Sequence, residues 1–218
     1  MRVELPSGAA AEVAGTDDRR QGLVIVPDIG GLRPLFDAMV ERLATETGWP
    51  TAAVEPWPGR EHLAVEERLE RAGTIDEERL LGDLSAAADR LGCERTGVLG
   101  FCMGGMFATK AAASGRFHRA VSFYGMVVLP EQWRGGEVAE PLDALRAPGC
   151  AEVLLLVGTE DPWVPAEHLG QLEGLDHVEV VTYESADHGF VHDPERPAHR
   201  PHDAADAWRR AISFLVGP

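Results

Sequence analysis

The sequence predicts an α/β fold: a mostly parallel sheet flanked by helices on both faces. Two observations carry that prediction. Aliphatic runs at 22–26, 51–54, 96–99, 120–123, 153–157 and 178–183 read as strands, and segments with helical spacing fall between them. Such alternation is the pattern of parallel βαβ units. Each run also ends in a turn containing Gly, Pro or Asp, and sheets of this kind carry their sites just beyond the carboxyl ends of their strands. A chain of 218 residues can bury a sizeable core, so residues 1–218 are expected to form one domain.

In order, residues 1–15 read as one or two short edge strands turning at Gly8. The run 22–26 is unbroken and aliphatic, as in a strand covered on both faces. Pro34 suits the first turn of a helix. Leu35, Phe36, Met39, Val40 and Leu43 continue it, and Gly48 and Pro50 stop it. After the strand at 51–54, Pro56 and Pro58 forbid regular structure. Residues 61–73 are charged and fit either a helix or irregular chain. Thr74 and Glu77 have capping-box spacing. Leu80, Leu81, Leu84, Ala88 and Leu91 mark the helix beyond them, which Gly92 closes. A further helix is read over 106–113. Residues 126–149 hold Pro130, Gly135, Gly136, Pro141 and Pro148. They are expected to form an irregular cap segment that overhangs a pocket, with a short helical patch at 142–146. A short helix at 165–172 and a closing helix at 203–216 complete the pattern.

Composition narrows the function classes. Hydrophobic content of 44% and charged content of 26% suit a globular chain. A net charge of −16 repels a phosphate backbone, so no nucleic-acid partner is expected. No apolar run approaches the ~18 residues of a membrane helix. The first residues contain no apolar stretch of a secretory signal. Cys93, Cys102 and Cys150 are odd in number and widely spaced, which fits free thiols in a reducing cytoplasm. The state expected is a monomer or small homo-oligomer.

The chain is organised around Gly100-Phe101-Cys102-Met103-Gly104-Gly105, between a strand and a helix. Strand, sharp turn, helix is the context of the nucleophile elbow of α/β-hydrolases, with Cys where Ser is usual. Gly100 and Gly104 flank the strained nucleophile position, where a Cβ would crowd the turn, and Gly105 lets the helix start pack close to the strand. A helix N-terminus directs N–H groups and partial positive charge at the sulfur, which favours the reactive thiolate.

Nucleophile, acid and histidine follow in the order Cys102, Asp161, His188, each after its own strand. His188 suits a base because its pKa lies near neutrality, and Asp161 would fix its tautomer. Glu160 and Asp187 are rival acids; Asp187 adjoins the histidine in sequence and is poorly placed to reach across its ring. The oxyanion hole is expected from the N–H of Met103 and an N–H of the 27–31 loop, assigned to Ile29. Trp57, Tyr124, Trp163 and Phe190 are the expected apolar walls. His188 and His192 are four apart, but Gly189 and Pro194 oppose a helix there and the Glu of a His-Glu-x-x-His motif is absent, so no metal site is expected.

Over essentially its whole length the chain resembles the dienelactone hydrolase family of α/β-hydrolases. The matching residues are Gly100-Phe101-Cys102-Met103-Gly104-Gly105, Asp161-Pro162-Trp163-Val164-Pro165 and Ala186-Asp187-His188-Gly189-Phe190. The resemblance implies cofactor-free hydrolysis of a small ester or lactone through an acyl-enzyme. It also implies an arginine that binds a substrate carboxylate, matched here by Arg60. Two positions depart from the family pattern. Asp28 stands where the family has a glutamate that helps deprotonate the cysteine, and His192 stands where dienelactone-cleaving members carry an arginine. The same residues admit two other readings: a hydrolase-like binding or regulatory protein that has lost catalysis, and a redox-sensing thiol protein.

Overall fold

The computed structural model describes residues 1–15 and 19–217. Within them the aliphatic runs become strands of one sheet: β1 (Arg2–Glu4), β2 (Ala10–Ala14), β3 (Gln21–Val26), β4 (Thr51–Val54), β5 (Arg95–Phe101), β6 (Arg119–Phe123), β7 (Glu152–Gly158) and β8 (Val178–Tyr183). Their order across the sheet is β1-β2-β4-β3-β5-β6-β7-β8. The strands from β3 to β8 are parallel, and β2 pairs antiparallel with both β1 and β4. The turn between β1 and β2 is at Gly8, with φ +89°.

Unbroken aliphatic runs are required because both faces are covered. In β3, Leu23 and Ile25 enter one half of the core while Val24 and Val26 enter the other. The first half is closed by α1 (Pro34–Thr47) and α7 (Pro201–Val216). The second is closed by α3 (Glu77–Leu91) and α4 (Met103–Ala111). Short α-helices among the described residues are α2 (Val65–Arg71), α5 (Pro141–Leu145) and α6 (Ala166–Gly170). Among the described residues no helix is long and apolar enough to cross a membrane.

Three details differ from the sequence expectation. The cap of α3 is Asp76, whose carboxylate accepts from the Arg79 N–H at 2.9 Å; the Thr74 hydroxyl turns back to the Arg71 carbonyl at 2.8 Å. Helix α4 begins at Met103 rather than at 106, so Gly104 and Gly105 lie inside its first turn. Residues 126–149 are packed down rather than raised over a pocket. Met126, Val127, Leu129, Trp133 and Leu142 belong to the core, and the buried Lys110 pairs with Glu77 while donating to the Ala139 carbonyl at 2.6 Å.

The order of strands sets the position of the site. The chain leaves β3 toward β4 on one side and returns as β5 on the other, so the crevice lies between the carboxyl ends of β3 and β5. Val26 is paired in register with Gly100. Asp28 and Ile29 therefore emerge beside Cys102.

Candidate active site

Cys102 joins β5 to α4 with φ 55° and ψ −122°. Such a conformation costs a non-glycine residue about 1–3 kcal/mol and persists only where neighbours enforce it. The enforcement is visible in two glycines. A Cβ on Gly100 would lie 2.1 Å from the Gly104 carbonyl oxygen, and one on Gly104 would lie 2.2 Å from those of Val26 and Pro27. Gly105 abuts Ser122 and Gly125 at the end of β6, so it brings α4 against the neighbouring strand rather than its own. The Cys102 N–H donates to the Phe123 carbonyl at 3.0 Å.

Asp161 follows β7 and His188 follows β8. The Asp161 carboxylate is buried and accepts from His188 Nδ1 and from the Trp163 N–H, both at 2.8 Å. Asp187 instead accepts from the His188 backbone N–H at 2.6 Å, and Glu160 is exposed. The His188 Nε2 is buried with no formed hydrogen bond. Even so, the ring is near enough to Cys102 to feel its charge. Burial opposes the imidazolium, but Cys102 and Asp161 together outweigh it and push the His188 pKa up to about 10.

Asp28 lies at the floor of the crevice in a chain of polar groups. Its Oδ1 accepts from the Gly30 N–H at 2.9 Å and Arg33 Nη1 at 2.6 Å. Its Oδ2 accepts from Arg33 Nη2 at 2.8 Å and bonds His192 Nε2 at 2.7 Å. A carboxylate offers about four lone-pair sites, and all four have partners here. Burial opposes the charge, yet His192 and Arg33 hold the carboxyl well below the ordinary carboxylate range. Burial pushes His192 down. A neutral ring donating Nε2–H to Asp28 must accept at Nδ1, and the Tyr124 hydroxyl, held protonated by burial, donates there.

A cavity of about 560 Å³ opens over Cys102 and His188, within the usual range for small-ligand sites. Ile29, Trp163 and residues 63–65 of the approach to α2 line it, as do Arg33, Arg68 and Arg196. A second opening of about 630 Å³ shares Trp163, His188 and Arg196 with it. The Arg33 and Arg68 guanidiniums are engaged, the first with Asp28 and the second with the carbonyls of Ile29, Glu61 and Leu63. Arg196 is exposed and, among the described residues, has no side-chain hydrogen bond or ion pair. Its guanidinium lies over Gly189, where an added Cβ would be 2.6 Å from Nη1.

Cys102, Asp161, His188, Ile29 and Met103 thus come together, and Met103 opens α4, whose leading N–H groups have no partner within the helix. Other expected residues do not line the cavity. Arg60 borders a separate depression with Trp57, Pro58 and Thr74. Trp57 is buried and its Nε1–H donates to the Ile29 carbonyl at 3.0 Å. Tyr124, Phe190 and His192 are buried behind the site, where the Tyr124 ring contacts all three of His188, Phe190 and His192. The arginines that do line the cavity were missed. Arg33 had a signal, as the cation nearest Asp28 in the strand-end loop; Arg68 and Arg196 sit in charged or Pro-rich stretches without periodicity. Among the described residues no cluster of His, Cys, Asp or Glu is arranged to hold a metal ion.

Comparison with known proteins agrees with this architecture. A model of the dienelactone hydrolase family matches residues 9–217. A Bradyrhizobium protein named "Probable 2-oxo-3-(5-oxofuran-2-ylidene)propanoate lactonase" is 28% identical over 211 residues, covering 90% of this chain and 84% of its own. A Rhodococcus opacus carboxymethylenebutenolidase is 28% identical over 209 residues, covering 88% and 79%. A crystal structure from Klebsiella pneumoniae, provisionally assigned as a dienelactone hydrolase, superposes with a TM-score of 0.89 at 23% identity, covering 100% of this chain and 98% of that one. At that identity the likeness speaks for the fold alone. With nearly the whole chain matched by one family model, the protein belongs to the dienelactone hydrolase family.

Proposed function

We propose that the protein hydrolyses small esters or lactones bearing a negative charge, through a Cys102–His188–Asp161 triad and an acyl-enzyme. One observation carries the reading: the Asp161-to-His188 hydrogen bond leaves a buried, unpaired Nε2 next to a cysteine held at a strained elbow. Cys102 Sγ attacks the carbonyl carbon, and its proton resides on His188. The carbonyl oxygen becomes an oxyanion that accepts from the Ile29 and Met103 N–H groups. Collapse breaks the C–O bond, and His188 returns the proton to the leaving alkoxide. Water then loses a proton to His188 and attacks the thioester, which releases the acid and restores the thiol. In a lactone both products remain one hydroxy acid.

Three arginines against two aspartates, Asp28 and Asp193, around the cavity of a chain with net charge −16 support an anionic substrate. The names of the two relatives favour a lactone among the candidates. Cys93, Cys102 and Cys150 are not joined by disulfides, which suits a reducing compartment such as the cytoplasm. Rapid mixing with p-nitrophenyl acetate tests the route. A nitrophenol burst with one acetyl group on the Cys102 peptide by mass spectrometry is expected. A folded protein giving neither burst nor adduct refutes it and returns the binding or thiol-sensing readings.

A further inference from the structure

We infer that His192 and Tyr124 are positioning residues that brace the loop carrying the Ile29 N–H, and that Asp28 serves this brace rather than deprotonating Cys102. The inference rests on the acyl-enzyme reading above.

Saturation of the Asp28 carboxylate is the first argument. Gly30, both arms of Arg33 and His192 occupy its four acceptor sites, so a thiol would have to displace one of them. Three of those donors are charged or buried, and such bonds are costly to break unreplaced. The carboxylate at the family's glutamate position is therefore committed elsewhere in this chain.

The second argument is what the brace holds. The Ile29 N–H belongs to the planar peptide whose other end is the Asp28 carbonyl, and that carbonyl accepts from the Gly31 N–H at 3.0 Å. The next peptide is pinned at both ends. Its N–H, from Gly30, donates to Asp28 Oδ1, and its carbonyl, from Ile29, accepts from Trp57 Nε1 at 3.0 Å and Arg68 Nη1 at 3.3 Å. Fixing two successive peptide planes fixes the direction of the Ile29 N–H. An oxyanion donor works through this kind of preorganisation.

The third is how firmly the far end is anchored. The His192 ring stacks on Phe101, the residue before Cys102, at 4.8 Å between centroids, and on Phe36 of α1 at 5.9 Å. Tyr124 hydrogen-bonds His192 and sets its own ring edge against His188 at 5.1 Å. One tyrosine thus touches both the base and the brace of the oxyanion loop. Tyr124 itself is held at φ +42°, with its N–H on the Leu156 carbonyl at 2.8 Å.

Two reactions of Cys102 separate the roles. Alkylation by iodoacetamide needs the thiolate but no oxyanion hole; acetylation by p-nitrophenyl acetate needs both. His192→Ala is expected to slow the burst about 10-fold or more, short of the 10²–10³ lost with a whole donor, and leave alkylation within about twofold of normal. Tyr124→Phe, a milder change that keeps the core filled, should follow in the same direction. His192→Gln, whose amide can still donate to Asp28, should recover part of the loss. Melting curves exclude unfolding as the cause. If alkylation falls in step with acetylation, the brace acts on the thiol and the inference is overturned. It is equally overturned if neither rate moves in folded variants. If the unsubstituted protein is never acetylated, it is the hydrolase reading that fails, and the inference goes with it.

Discussion

Removal of Arg196 is the sharpest test of substrate charge. Its guanidinium borders both openings beside His188, is exposed, and is committed to no other described group. Truncation therefore leaves no buried partner stranded, unlike loss of Arg33, which would strip two of the four donors from Asp28. A charge-assisted hydrogen bond is worth about 2 kcal/mol net, and its loss corresponds to about 30-fold in affinity. Arg196→Ala should thus raise KM about 30-fold for p-nitrophenyl hemiglutarate, whose acyl chain ends in a carboxylate. It should leave KM for the neutral valerate ester, of similar length, within about twofold. Arg60→Ala, at a site apart from the cavity, should change neither. The readout is steady-state nitrophenol release with both esters. Equal effects of Arg196→Ala on the two esters, or a selective effect of Arg60→Ala, would refute the reasoning. The second outcome would reinstate the arginine implied by family resemblance.

Two further predictions concern the elbow and His188. Gly104→Ala places a Cβ 2.2 Å from two backbone oxygens that belong to β3 and the loop after it, where ordinary contact begins at 3.4 Å. Neither can swing aside, so a loss of about 3 kcal/mol or more and a fall in melting temperature of about 10 °C are expected; an unchanged melting curve sinks the packing account. The His188 pKa is raised from 6.5 to about 10 by Cys102 and Asp161 acting against burial. A raised folded pKa means that the associated stability is fully present below 6.5 and is lost as pH rises through about 10. Asp161→Asn should lower the His188 titration midpoint in an NMR titration and flatten the decline of stability across that window. A midpoint that stays near 10 in the variant would deny Asp161 its role.

Strand positions were legible because a sheet covered on both faces needs unbroken aliphatic runs, and 51–54 matches its strand residue for residue; 178–183 also matches, but as a partly exposed edge strand it was legible through its β-branched residues. The elbow was legible because its glycines answer a backbone demand that no side chain can meet. Legibility stopped where direction mattered. Tyr124 and Phe190 follow strands, as site residues should, but their rings turn into the layer beneath α1 and α7. Thr74 lost the cap of α3 to Asp76 by two residues, since both are capping types and only the path of the chain chooses between them.

Charge was the least legible property, and it bears most on specificity. Family resemblance places positive charge at the positions of Arg60 and His192. In the folded chain His192 is buried, pushed toward its neutral form and spent on Asp28, while Arg60 faces another depression. Arginines still outnumber acids around the cavity, Arg33, Arg68 and Arg196 against Asp28 and Asp193, but they come from the β3 loop, α2 and the loop after His188. Two of these are tied to structure, and one is free to meet a ligand. An anion held at Arg196 would approach from the side of the second opening, next to His188, rather than from the side of Arg60. Selectivity among lactones and esters in this protein should therefore follow the distance from the reacting carbonyl to the charge, read from that side, and not the ligand set carried over by position from its relatives.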